Sequence, residues 1–197
     1  MDGFLGVGLM DFDTSRSLSI GGITGTAKGT PTGNFFATGA NVGYRMDAPT
    51  SWGLLHWGPV GEFQFNTVGI GQYAETGLGA LSTTVENRNV NSIQTGLGGE
   101  LSLETVTSWG RLTPHVRATW QHEFGDAAEN ATASFAAVPS LPFVITSSPL
   151  ARDFAAVTAG VSAVAWQGVT LSADYSGEVG RNNQTVHQVL LQARIAF

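Results

Sequence analysis

Cysteine is absent from the 197 residues, lysine occurs once (Lys28), and charged side chains of either sign make up only 12%. Each shortage excludes something. Without cysteine there is no disulfide framework and no thiolate metal site, and free thiols would be a liability in an oxidising compartment. A charged fraction about half that of ordinary soluble domains argues against a wholly water-facing surface. The net charge of -6 disfavours a nucleic-acid partner, which would select a basic stripe. No run approaches the roughly 18 apolar residues of a membrane-crossing helix. The first ten residues, MDGFLGVGLM, have neither a basic leader nor a small-residue cleavage site, so they are not a signal peptide. An exported protein with this sequence is expected to have lost something upstream.

What the chain does contain is alternation. Arg111 to Phe124 places Leu112, Pro114, Val116, Ala118, Trp120, His122 and Phe124 on one side. Arg111, Thr113, His115, Arg117, Thr119, Gln121 and Glu123 fall on the other. A period of two over fourteen residues predicts a strand, and one much longer than the usual five or six residues. The same pattern recurs in 169–180, 55–66, 93–104 and 36–46, in broken form in 3–13 and 154–166, and in the last ten residues. The count is eight strands, an all-β chain forming a single domain over 1–197.

The connections alternate in length. Residues 47–53, 107–110 and 167–168 are short, whereas 16–32, 67–91 and 125–152 are long, with one tight exception at 181–183. Short turns at one end and long loops at the other predict an antiparallel up-and-down transmembrane β-barrel. Trp52, Trp109 and Trp166 all fall at the short-turn end, where an interfacial aromatic girdle would lie. The polar faces carry Arg45, Glu62, Glu100, Arg117, Glu123, Asp174, Glu178 and Arg194, too many charges for a dry interior. They suit a wet lumen with lipid on the apolar faces. Two readings stay open for them: they line that lumen for a cargo, or they pair with one another to stiffen the wall. The Ser and Thr of the long loops are expected to be plain solvated loop. The histidines His56, His115 and His187 look scattered.

The chain ends on LLQARIAF, with Leu191, Ala193, Ile195 and Phe197 on one face. A final strand with a terminal Phe resembles the signal read by the outer-membrane barrel-assembly machinery. Several segments together resemble the C-terminal β-domain of autotransporters (type V secretion). They are GRLTPHVRATWQHEFGD, then ATASFAAVPSLPFVI, SSPLARDFAAVTAGVSA and LSADYSGEVG, with TSRSLSIGGITGTAKGTPTGN upstream. That resemblance implies an outer-membrane translocator and anchor, with lipid, the assembly machinery and the chain's own passenger segment as partners. It implies no enzyme and no cofactor, and a C-terminus at the periplasmic face. The family domain has twelve strands, preceded by a pore-threading helix and a passenger. Eight strands here correspond to its C-terminal two thirds, so the chain is expected to be N-terminally truncated. Two other classes remain: a standalone eight-stranded adhesin-like or porin-like barrel, and a lipid-modifying barrel enzyme. His122 sits on an apolar face at a loop end, as such an enzyme needs, but no partnered serine can be named for it. His122-Glu123 lacks the second histidine of a zinc-protease helix, and the glycine-rich pieces lack a strand-to-helix context.

Overall fold

A computed structural model of the chain describes residues 1–126, 128–165, 168–182 and 185–195. In chain order the strands are β1 (Asp2–Asp11), β2 (Thr14–Ile20), β3 (Ile23–Gly29), β4 (Thr32–Gly43), β5 (Met46–Thr50) and β6 (Gly53–Ile70). Next come β7 (Tyr73–Ala74), β8 (Thr83–Val85), β9 (Arg88–Thr107), β10 (Gly110–Glu123), β11 (Asn130–Phe135) and β12 (Phe143–Thr146). The last are β13 (Asp153–Ala165), β14 (Val169–Val179) and β15 (His187–Ile195). Among the described residues the only helical piece is one 3-10 turn, Gly79–Leu81, so no helix here is long enough to cross a membrane. Strands remain the candidates for that.

Eight of these strands make one antiparallel wall, in the order β1-β4-β6-β9-β10-β13-β14-β15, curved as a half-barrel. β5 continues the register of β4 along β6, from Gly43 opposite Val60 to Met46 opposite Trp57, so the pair acts as one long strand. The all-β, up-and-down architecture expected from the alternation is present. Wall strands reach further than the alternation suggested: β6 has 18 residues and β9 has 20. Their extra length projects at the long-connection end. β1 and β15 are the outer strands of the wall.

The wall is inverted relative to a water-soluble sheet. Along β10, Thr119, Gln121 and Glu123 are buried while the intervening Trp120 is 55% exposed. Leu97, Leu101, Phe63, Trp57, Val116 and Leu171 are likewise exposed. Cross-strand register puts these apolar residues on one outer face: Trp57 faces Leu101, Leu101 faces Val116, and Val116 faces Ala159. Exposed apolar area of this extent marks contact with something other than water.

The long connections differ from the solvated loops expected of them. They carry β2 and β3, then β7 and β8, then β11 and β12. β12-β11-β8-β7 is one sheet, and Lys28 of β3 bridges Thr76 just beyond β7 through two backbone hydrogen bonds of 2.9 and 2.8 Å. The three connections therefore knit into one cap. Its Ser and Thr occupy strand positions in β2, β3, β8, β11 and β12. Its centre is conventional: Ala27 is 0% exposed, with Val85 and Ala133 also buried. The Tyr73 ring lies so close over Gly29 that a Cβ there would meet it at 2.6 Å.

Candidate functional site

Charged groups converge on the sheltered polar face of the wall. Register assigns all eight sequence-derived charges to it. Glu62 faces Gly96, which faces Gln121, and Arg117 faces Glu100 across from Gly58. Arg45 lies in the continuous β4–β5 register, Glu123 ends β10, and Asp174 and Glu178 alternate along β14. Arg194 faces Thr170.

Most of these charges are paired within the wall. Arg117 Nη2 lies 2.6 Å from Glu62 Oε1, and Gln121 Nε2 donates to Glu62 Oε2. Both contacts cross β9, which offers only Gly96 and Gly98 at that level. A Cβ at 96 would lie 2.5 Å from Gln121 Nε2, so glycine keeps the crossing open. The same device recurs over β13. His115 Nε2 lies 2.7 Å from Asp174 Oδ1, and a Cβ at 160 would sit 2.2 Å from that oxygen and 2.9 Å from that nitrogen. Two next-nearest strands are thus laced together over a glycine in each case. Glu123 accepts from Ser92 Oγ (2.6 Å), Gln94 Nε2 (2.9 Å), Ile93 N (2.8 Å) and Gly125 N (2.7 Å), saturating its carboxylate. Glu178 lies 3.4 Å from Arg181, whose guanidinium stacks 4.2 Å over the Phe154 ring. At the short-turn end Arg45 and His56 share Asp47, with His56 Nδ1 2.6 Å from Asp47 Oδ1. Glu104 joins that group through His56 Nε2, at 4.0 Å, and brings in Arg111 at 3.3 Å. Among the described residues Glu100 and Arg194 make no such pair, and both are exposed.

Sequence reasoning missed Asp47, Arg181 and Phe154 as members of this face, had Glu104 and Arg111 on the polar side of their strands without counting them among the lining charges, and saw His56 and His115 as scattered. His56 and His115 did lie on the polar side of their alternation, but their partners come from other strands. Phe154 had no legible face because FAAVTAGVSAVA does not alternate. No group of three or more metal-ligating side chains forms among the described residues.

Trp52 is exposed in the turn between β5 and β6, and Trp109 is exposed in the turn between β9 and β10. Leu191, Ala193 and Ile195 share the outer face of β15 with Val189, since Ala173 faces Leu191 and Leu171 faces Ala193. Trp166 and Phe197 lie outside the described residues.

A family model described as the autotransporter beta-domain matches residues 1–176, from β1 to the later part of β14. The chain belongs to the autotransporter β-domain family. No curated protein matches it. As a member of that family it is an outer-membrane translocator domain of a bacterium, built as a transmembrane β-barrel of the type V secretion kind. The autotransporter wall brings its charges together in the manner of a braced lining.

Proposed function

We propose that this chain anchors a passenger in the outer membrane and supports its export and surface display, with the sheltered polar face lining the passage. The observation that carries the reading is the inverted burial of the wall. Polar side chains shelter from lipid on the inner face, while the outer face offers apolar residues to acyl chains. Dimensions agree. Eleven residue steps separate Trp109 from Trp120, about 36 Å along a strand and ~28 Å across a bilayer at a tilt of ~40°. The short turns with Trp52 and Trp109 then face the periplasm, together with the Ile195 end of β15. The cap faces the outside. Glu100 and Arg194 are the charges left for a passenger segment, and the remaining six brace the wall. Leu191, Ala193, Ile195 and Phe197 act as the address for the barrel-assembly machinery.

In lipid the outer strands β1 and β15 need partners, because unpaired backbone is costly there. We assign them to a twelve-stranded wall of which 1–197 is a part. The test is heat-modifiability of the chain refolded in detergent, alone and with about four upstream strands added. A compact fast-migrating band only in the longer chain supports the twelve-stranded translocator. A compact band from the 197 residues alone shows closure of β1 on β15, and replaces the translocator with a small standalone barrel.

A further inference from the structure

Three polar residues interrupt the outer face in a single row. Thr95 of β9 faces His122 of β10, which faces Asp153 of β13. Below that row β10 turns Pro114, Val116, Ala118 and Trp120 outward, and β13 turns out only alanine and valine. His122 Nδ1 lies 2.7 Å from Asp153 Oδ1, so the ring is fixed. It is held between Phe124, edge-on at 4.5 Å, and Trp120 at 6.0 Å. Among the described residues no hydrogen bond is made by His122 Nε2 or Asp153 Oδ2. An interfacial girdle needs aromatic rings alone; a carboxylate fixed on an imidazole is more than it needs. Sunk in hydrocarbon the pair would be costly, so its row belongs at headgroup level.

We propose that Trp120, His122 and Asp153 form a clamp for the sugar headgroup of a glycolipid in the outer leaflet. The proposal rests on the outer-membrane orientation given above. The exposed indole offers a flat apolar surface to the C–H face of a sugar ring. With His122 Nδ1–H donating to Asp153, the bare Nε2 and the free Asp153 oxygen offer two acceptors side by side to the O–H donors of adjacent sugar hydroxyls. The Asp153 charge repels a phosphate, so the neutral saccharide is selected over an anionic headgroup.

The chain is reconstituted in phosphatidylcholine vesicles and checked by flotation. It is then extracted, and co-purifying lipid is quantified by native mass spectrometry after mixing in monoglucosyl diacylglycerol or phosphatidylglycerol with the same acyl chains. The expected result is a preference of about tenfold for the glucosyl lipid, abolished by Asp153→Asn, His122→Gln and Trp120→Leu. Tyr175→Phe, which removes the outer-face contact of Tyr175 with His187 at 2.6 Å, leaves the preference intact. Equal retention of the two lipids overturns the clamp, as does a preference that survives Asp153→Asn. Failure to float instead strikes the membrane reading, and the clamp falls with it.

Discussion

The wall and the cap are built by the same chain from the same kind of antiparallel pairing, yet they bury opposite things. In the wall Gln121 is 7% exposed and lies among Thr119, Glu62 and Glu123, while Trp120 is open to the surroundings. In the cap the small apolar residues Ala27, Val85 and Ala133 are covered, along with Thr83, while Ser15, Ser17 and Ser19 of β2 face out. The difference teaches that strand alternation states which residues share a face, and the medium decides which face is sheltered. The cap is a water-soluble structure attached to a lipid-soluble one.

Each region also has its own brace. In the wall it is the Glu62–Arg117–Gln121 crossing. In the cap Arg16 Nη2 lies 2.5 Å from Glu75 Oε2 and 3.0 Å from Leu81 O, and Thr83 donates to Glu75 through N (2.9 Å) and Oγ1 (2.8 Å). The Arg16 guanidinium foremost, with Thr83, holds the Glu75 carboxyl below the usual carboxylate range, against desolvation, which pushes it up. Glu75 in turn raises Arg16.

If the two regions are independent, breaking one brace should spare the other. The largest effect is expected from Glu62→Ala, which strands Arg117 and Gln121 on the sheltered face. A loss of about 2–3 kcal/mol is expected, partial exposure of the pair keeping it below a fully buried break, and would be read as a lower urea midpoint of the detergent-folded protein. Gly160→Val should follow at about 1–3 kcal/mol, because the new side chain occupies the space where His115 meets Asp174. Gly160→Ala would show how much of that is the Cβ alone.

Arg16→Ala should cost about 1–2 kcal/mol locally. Limited proteolysis would then cut within 14–29 or 73–85 while the wall keeps its fast gel mobility. Loss of both together would unite the two regions and remove the comparison. Acid should act on the cap in the same manner. Glu75 is depressed in the folded state, so its contribution is complete at neutral pH, where folded and unfolded carboxyls are both ionised. It disappears as pH falls below the usual carboxylate range, and Glu75→Gln should remove that dependence from the protease sensitivity of the cap. The smallest effect belongs to Glu100→Gln. An exposed, unpaired charge should change stability by no more than about 0.5 kcal/mol, while altering any contact with a passenger.

The wall was legible because Arg111 to Phe124 and its counterparts alternate for long enough to exclude a helix, and because turn lengths alternate with them. The sheltered face was legible as a set of charges, but the pairings were not. Nothing local to His115 signals Asp174, since β13 lies between them and the contact depends on Gly160 being bare. The cap was illegible for another reason. β7, β8 and β12 have two, three and four residues, too few for periodicity, and they are strands only because the other connections pair with them.

That last dependence has a consequence for assembly. Lys28 needs Thr76, and Val85 needs Ala133, so no one connection can complete the cap. All three must stand on the same side of the membrane before the sheet can close. A cap that resists protease is therefore a tally of successful crossings, readable without touching the wall at all.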